Sequence, residues 1–208
     1  MKATEVERCG WCLSSEIYMN YHDTEWGRPV VDDQQLFEKV CLEGFQSGLS
    51  WITILRKREK FRELFCNFNP VEVVQFSARE VDALVLDPGI IRHRGKIEAT
   101  IHNAQRYLAM KAAGETLCEV VWQYAEPPID PETPHTGEIL THTPQSVALS
   151  KELKKRGWKF VGPTTMYAFM QSMGLVNDHA TTCYVRAECE RQRATVHFPP
   201  TTRGGAVR

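Results

Sequence analysis

The chain has 208 residues, 42% of them hydrophobic and 25% charged, which suits one domain, or one domain in two lobes, with a real core. A net charge of -1 gives no chain-wide sign of a nucleic-acid partner, so a DNA grip has to come from local patches. No apolar run approaches the ~20 residues of a membrane span, MKATEVERCGW lacks the apolar core of a secretory signal, and seven cysteines, an odd count, favour metal ligation or plain burial over a disulfide framework.

The pattern is helical almost throughout, with no alternating strand and no internal repeat. Asp32 or Asp33 can cap a helix carrying Leu36, Phe37, Val40 and Cys41. Ile52, Leu55, Phe61, Leu64 and Phe65 predict one helix from Trp51 to Phe65. Ser77 to Glu80 forms a capping box ahead of Val81, Leu84 and Val85, and Asp87-Pro88-Gly89 ends that helix. Ile97, Ile101, Ala104 and Leu108 line another, ended by Gly114, and a short one follows over Leu117 to Tyr124. Residues 126–146 are rich in Pro and Thr and predict a loop excursion. Helical pattern returns in SVALSKELKKRG and PTTMYAFMQSMG, where Pro163 suits a first turn. Residues 186–208, with Arg, Pro and Gly and little apolar content, are expected to be a poorly ordered tail, so the domain is placed at 7–185.

GLVNDHATTC sets His179 and Cys183 four apart, on one face if a helical turn runs through them. Two ligands make a poor zinc site, and Cys9, Cys12 and His22 at the other end of the chain could complete one. Cys9-Gly-Trp-Cys12 also reads as a redox pair, although no strand precedes it. Separate buried cysteines and surface histidines are the alternative.

Five stretches follow one another between Glu7 and Cys183: ERCGW, YHDTEWG, LFEKVCLEGFQSGLSW, GIIRHRGKI and KKRGWKFVGPTTMYAFMQSMGLVNDH. Together they resemble 3-methyladenine DNA glycosylase type I, the bacterial Tag family. The resemblance implies an all-α helix–hairpin–helix glycosylase fold. It implies a structural zinc on Cys9, His22, His179 and Cys183, without Cys12, that joins the N- and C-terminal segments. It also implies a pocket of Tyr18, Tyr21, Trp26 and Trp51 that receives a flipped base, with Glu43 on the base's polar edge. On the residues alone, Glu43 reads rather as an ordinary helix-end carboxylate, and aromatics at such positions are more often core. The activity implied is hydrolysis of the N-glycosidic bond of 3-methyladenine in duplex DNA, in the cytoplasm, by a monomer. A non-catalytic binder of alkylation damage and a zinc hydrolase are the competing readings.

In KKRGWKFVGPTTMYAFMQ, Lys154, Lys155, Arg156 and Lys159 are basic and Gly162 opens the second helix. By resemblance the amides around Gly162 and Thr164 meet a DNA phosphate, as helix N-termini favour anions. Trp158 and Phe160 are expected to face inward. Arg92, Arg94 and Lys96 form a second basic cluster for the backbone. Gln46 and Leu49 are candidates to fill the gap left by the flipped base. Pro163 and Thr164 stand where strand-cutting relatives carry a Schiff-base lysine, which implies a monofunctional enzyme. Asp178 is a lesser catalytic candidate, and is expected instead to orient the zinc side.

Overall fold

The computed structural model describes residues 6–130, 133 and 140–196. Among them the secondary structure is helical, with no strand. A 3₁₀ turn at Gly10–Cys12 leads into α1 (Glu16–Thr24), α2 (Asp33–Gln46), α3 (Trp51–Leu55) and α4 (Arg58–Leu64). A 3₁₀ turn at Cys66–Phe68 precedes α5 (Pro70–Val73), α6 (Ala78–Leu86), α7 (Arg94–Ala112) and α8 (Leu117–Trp122). Helix α9 (Pro144–Lys155) starts within the 126–146 stretch expected as a loop, and α10 (Pro163–Ser172) and α11 (Arg186–Ala194) follow.

Helix α2 is the axis of the fold and packs against α3, α7, α8 and α10. Its start is set by Asp32, whose carboxylate accepts from Gln35 N–H, satisfying a donor that has no partner within the helix. Leu36, Phe37, Val40, Leu42 and Phe45 are all but sealed from solvent. An aromatic column of Phe45, Phe61, Phe65 and Phe68 continues the core, with centroids 4.6 Å apart at Phe45–Phe61 and 5.4 Å at Phe65–Phe68. A smaller apolar cluster of Cys9, Cys183, Val185 and Cys189 brings the two ends of the chain together.

The capping box at Ser77 and Glu80 and the helix stops at Asp87 and Gly114 are present as expected. The single helix expected over 51–65 is two. Lys57 N–H bonds to Ile54, three residues back rather than four, and this tightening ends α3 so that α4 can carry Phe61 onto Phe45. Helix α1 is not among the helices expected from the sequence.

The tail expected over 186–208 does not begin at residue 186, because residues 186–194 are helix α11. Its anchors are charged, which hydropathy reads as exposed. Arg193 pairs with Glu190 at 2.8 Å, both side chains 3% exposed. Arg193 also donates to the carbonyls of Gly174, Leu175 and Glu126, and Glu190 accepts from Ile129 N–H. The start of the excursion is therefore held against α11. Residues 131–132, 134–139 and 197–208 lie outside the described residues.

Candidate functional site

Cys9, His22, His179 and Cys183 converge, all buried, with their donor atoms within 4.8 Å of one another. His22 Nε2 is 3.4 Å from Cys183 Sγ, and His179 Nδ1 is 3.5 Å from both sulfurs. A tetrahedral ion with bonds of ~2.0–2.3 Å has edges of roughly 3.3–3.8 Å, and these three sulfur–nitrogen spacings fall in that range. The outer ring nitrogens are fixed as well. His22 donates through Nδ1 to Asp23 at 2.8 Å, and His179 donates through Nε2 to the Trp26 carbonyl at 3.1 Å. Each histidine is thereby held in the tautomer that turns its other nitrogen to the cluster. The bond from Cys9, with those of the two imidazoles, holds the Cys183 sulfur far below the usual thiol range. These four residues could hold a metal ion without leaving an open position. Cys12 is no part of the cluster: its thiol donates to the Cys9 carbonyl, and burial pushes it up to about 11.

Gly27 makes the cluster sterically possible. It has φ +79°, and a Cβ there would stand 2.6 Å from His179 Nε2. The glycine of YHDTEWG supplies both a left-handed backbone and the space for that imidazole.

In front of the cluster lies a cavity of about 530 Å³. Tyr18, Tyr21, Trp26, Glu43 and Trp51 all line it, as do Gln46 and Asp178. Trp26 serves both features, since its carbonyl holds His179 and its ring stands 4.6 Å from the His179 ring. Trp11 completes this wall, edge-on to Tyr18 at 4.8 Å and to Trp26 at 5.0 Å. In the sequence Trp11 appears only within ERCGW, with no spacing that assigns it to a pocket. Trp51 Nε1 is buried without a hydrogen-bond partner. The cavity is thus concave and aromatic, with two carboxyl side chains, Glu43 and Asp178, in its lining.

Glu43 is itself buried, and its oxygen lies 3.0 Å from Lys39 Nζ, one helical turn back. Burial pushes the Glu43 carboxyl above its ordinary value against the pull of Lys39. Burial likewise takes Lys39 down to about 8. The sequence showed Lys39 only as one polar position on an amphipathic helix. Its burial follows from the packing of Tyr21 and Trp51 over it.

The outer ring nitrogens of the two histidines are held by Asp23 and the Trp26 carbonyl, and Asp178 lies toward α10. It accepts from Tyr167 Oη and, at 2.8 Å, from Gln171 Nε2. The orienting carboxylate is Asp23, where Arg8 and His22 outweigh the effect of burial and bring it down to about 2.

On the other rim, α9 and α10 pack against each other across residues 156–162. This turn is clamped to α7: Asn103 bonds both the N–H and the C=O of Lys159, and His102 bonds the Gly157 carbonyl. Trp158 is buried as expected, but Phe160 is 39% exposed at φ 56°. Its β-carbon sits against Gly44, where an added Cβ would come within 3.2 Å. Lys154, Lys155, Lys159 and Thr164 are exposed, and Gly162 caps α10 with no side chain over the first amides. Arg156 is engaged by Glu115 and Glu152. In the second basic cluster Arg94 pairs with Asp82, and Lys96 is buried, donating to the Phe45 and Ser47 carbonyls. Lys96 therefore secures the end of α2 rather than facing outward. Leu49, in the turn after α2, is 42% exposed, beside Gln46 at the cavity.

Three comparisons bear on this geometry. Residues 11–187 match the family model for methyladenine glycosylase. The chain is 51% identical over 177 residues to the DNA-3-methyladenine glycosylase of Haemophilus influenzae, covering 85% of this chain and 96% of the relative. It is 52% identical over 180 residues to DNA-3-methyladenine glycosylase 1 of Escherichia coli, covering 86% and 96%. It also superposes on a structure of 3-methyladenine DNA glycosylase I from Staphylococcus aureus, described as the structural basis of 3-methyladenine recognition. That match has a TM-score of 0.80 at 37% identity, over 86% of this chain and 96% of the other. With an all-helical fold, a buried Cys/His cluster and an aromatic cavity holding a carboxylate, the chain belongs to the methyladenine glycosylase family.

Proposed function

We propose that this chain is a DNA-3-methyladenine glycosylase, a hydrolase that releases the alkylated base from duplex DNA and leaves an abasic site. The observation that carries the reading is the cavity of about 530 Å³ that gathers Tyr18, Tyr21, Trp26, Trp51 and Glu43, residues that are up to 33 positions apart. Its size and aromatic walls suit one purine taken out of the stack.

The chemistry asks little of the protein. 3-Methyladenine is cationic while attached to the sugar, so the glycosidic bond is already weakened. A cation over aromatic faces gains roughly 0.5–2 kcal/mol, and a carboxylate accepting from the exocyclic amine makes a charge-assisted bond. Glu43 is the recognition residue in this reading and also the candidate catalytic group. The aromatic walls hold the base while water attacks the sugar carbon. Gln46 and Leu49 fill the gap in the duplex.

The α9–α10 pair reads as a helix–hairpin–helix, with the amides around Gly162 and Thr164 toward a phosphate and Lys159 beside it. These contacts position the protein without reading sequence. Pro163 and Thr164 in place of a Schiff-base lysine make the enzyme monofunctional. Zinc is the ion we assign to Cys9, His22, His179 and Cys183. With four protein ligands it staples the termini and contributes to folding rather than to the reaction. The enzyme acts as a cytoplasmic monomer on the nucleoid, and its glycosylase domain is a single unit.

Incubating the purified protein with methylated duplex DNA and detecting free bases by mass spectrometry tests the reading. The expected result is release of 3-methyladenine, with 7-methylguanine left in place and strands intact until alkali is added. No release by folded, metal-loaded protein would turn the assignment to a non-catalytic damage binder.

A further inference from the structure

The aromatic cavity has a wall with something behind it. A second cavity, of about 220 Å³, lies on the far side of Tyr21 and Trp51 and is also lined by Lys39, Glu38, Arg58 and Arg62. Tyr21 and Trp51 line both cavities, whereas Glu43 lines the first and Lys39 the second. The Lys39 ammonium therefore meets the wall from the rear. It lies 3.0 Å from Glu43 Oε1, donates to Tyr21 Oη at 2.9 Å, and sits 3.2 Å from the centre of the Trp51 ring. One cation with three N–H donors thus touches three of the residues that face the base.

A purely structural role explains this poorly. Methionine or leucine would fill the same space without taking an ammonium out of water, and buried pairs of this kind add little or nothing to stability. A carboxylate sealed as Glu43 is would take up a proton if left alone. The other charges nearby are engaged with one another. Glu25, just beyond α1, is bound bidentately by Arg58 of α4, and Glu38 of α2 is bound by Arg62 of α4. Tyr18 and Tyr21 of α1 face Glu43, and Asp178 lies across the cavity, held by Tyr167 and Gln171 of α10. None of these is a free cation, so Lys39 is the group that balances Glu43.

We propose that Lys39 is a positioning residue for base recognition: from behind the wall it fixes Tyr21, Trp51 and Glu43 and keeps the Glu43 carboxylate charged toward the base. This rests on the reading of Glu43 as the recognition residue. Oε1 takes the ammonium, and Oε2 is the oxygen presented to the exocyclic amine.

The test compares wild type, Lys39→Met and Glu43→Gln, each checked for fold by circular dichroism and for metal content. The pH dependence of kcat/KM for 3-methyladenine release is measured on methylated duplex DNA. Wild type should fall off on the acid side as Glu43 protonates. In Lys39→Met that limb should move up by about one pH unit or more, with activity recovering as pH rises, and in Glu43→Gln it should be gone. A Lys39→Met profile that overlays wild type, beside an impaired Glu43→Gln, overturns the role of Lys39 alone. Wild-type release by Glu43→Gln removes the reading of Glu43 and the proposal with it. Lys39→Gln, which keeps a donor for Tyr21 but no charge, carries the same comparison should the methionine variant not fold. Infrared difference spectra of the free protein, wild type minus Glu43→Gln, read the carboxyl directly. Ionised in wild type and protonated in the Lys39 variants at neutral pH is the expected outcome; ionised in both overturns it.

Discussion

Glu43 and Lys39 stand one turn apart on α2 with 3.0 Å between carboxylate and ammonium, their side chains 3% and 6% exposed. Each is displaced in the direction that disfavours its charged form, Glu43 upward and Lys39 down to about 8. A carboxyl whose folded value is raised stabilises the fold while protonated, and that contribution is lost as pH rises through the folded value. Lys39 limits the loss. The melting deficit of Lys39→Met relative to wild type should therefore be small near the ordinary carboxylate value of 4.5 and grow toward neutral pH. In Lys39→Met/Glu43→Leu it should vanish or reverse, by about 1 kcal/mol or ~2–4 °C. Thermal melts across pH measure it; a deficit that shrinks with rising pH contradicts the argument.

Glu43→Gln keeps the shape of the side chain and removes its charge. Exchanging a charge-assisted bond for a neutral one costs about 1–3 kcal/mol, so release of 3-methyladenine should fall roughly 10- to 100-fold. Single-turnover kinetics on methylated duplex check this, with metal content and the circular dichroism spectrum unchanged. Equal rates would remove Glu43 from recognition.

Asp23 fixes the ring of His22 through a 2.8 Å bond and is itself gripped by Arg8. Asp23→Asn should weaken metal retention by about 10- to 100-fold, as loss of a ligand's supporting carboxylate does elsewhere. Cys183→Ser should go further and lower both metal stoichiometry and melting temperature. Competition with a chromogenic chelator measures metal retention in both variants and a thermal melt the stability, and full retention in Cys183→Ser would strike that residue from the ligand set.

Arg193 is 4% exposed, beyond the span that matches the family model, and ties α11 to the excursion and to the end of α10. Arg193→Met strands Glu190 as a buried charge, which costs about 3–5 kcal/mol. At ~2–4 °C per kcal/mol the melting temperature should drop by roughly 10 °C. A drop of only a degree or two by calorimetry would mean that α11 adds little to the fold.

Helix positions were legible because their causes are local. The Asp32 cap, the Ser77 box, the Gly114 stop and the three- and four-residue apolar spacings each act within a few residues of themselves. The sequence by itself determined the helical character of the chain, and its long motifs determined the family, with the pocket and ligand residues that the resemblance implies. Only the tertiary structure decided what depends on contacts between distant segments. It brought Cys9 to His179 across 170 residues and His22 to Cys183 across 161. It turned Phe160 outward and Lys96 inward, and it made α11 part of the fold. It also put an ammonium behind the aromatic wall. The burial of Lys39, Lys96 and Arg193 is not legible in the sequence for one physical reason. A charged side chain is buried only where a partner waits for it, and that partner is set by packing, which hydropathy does not record.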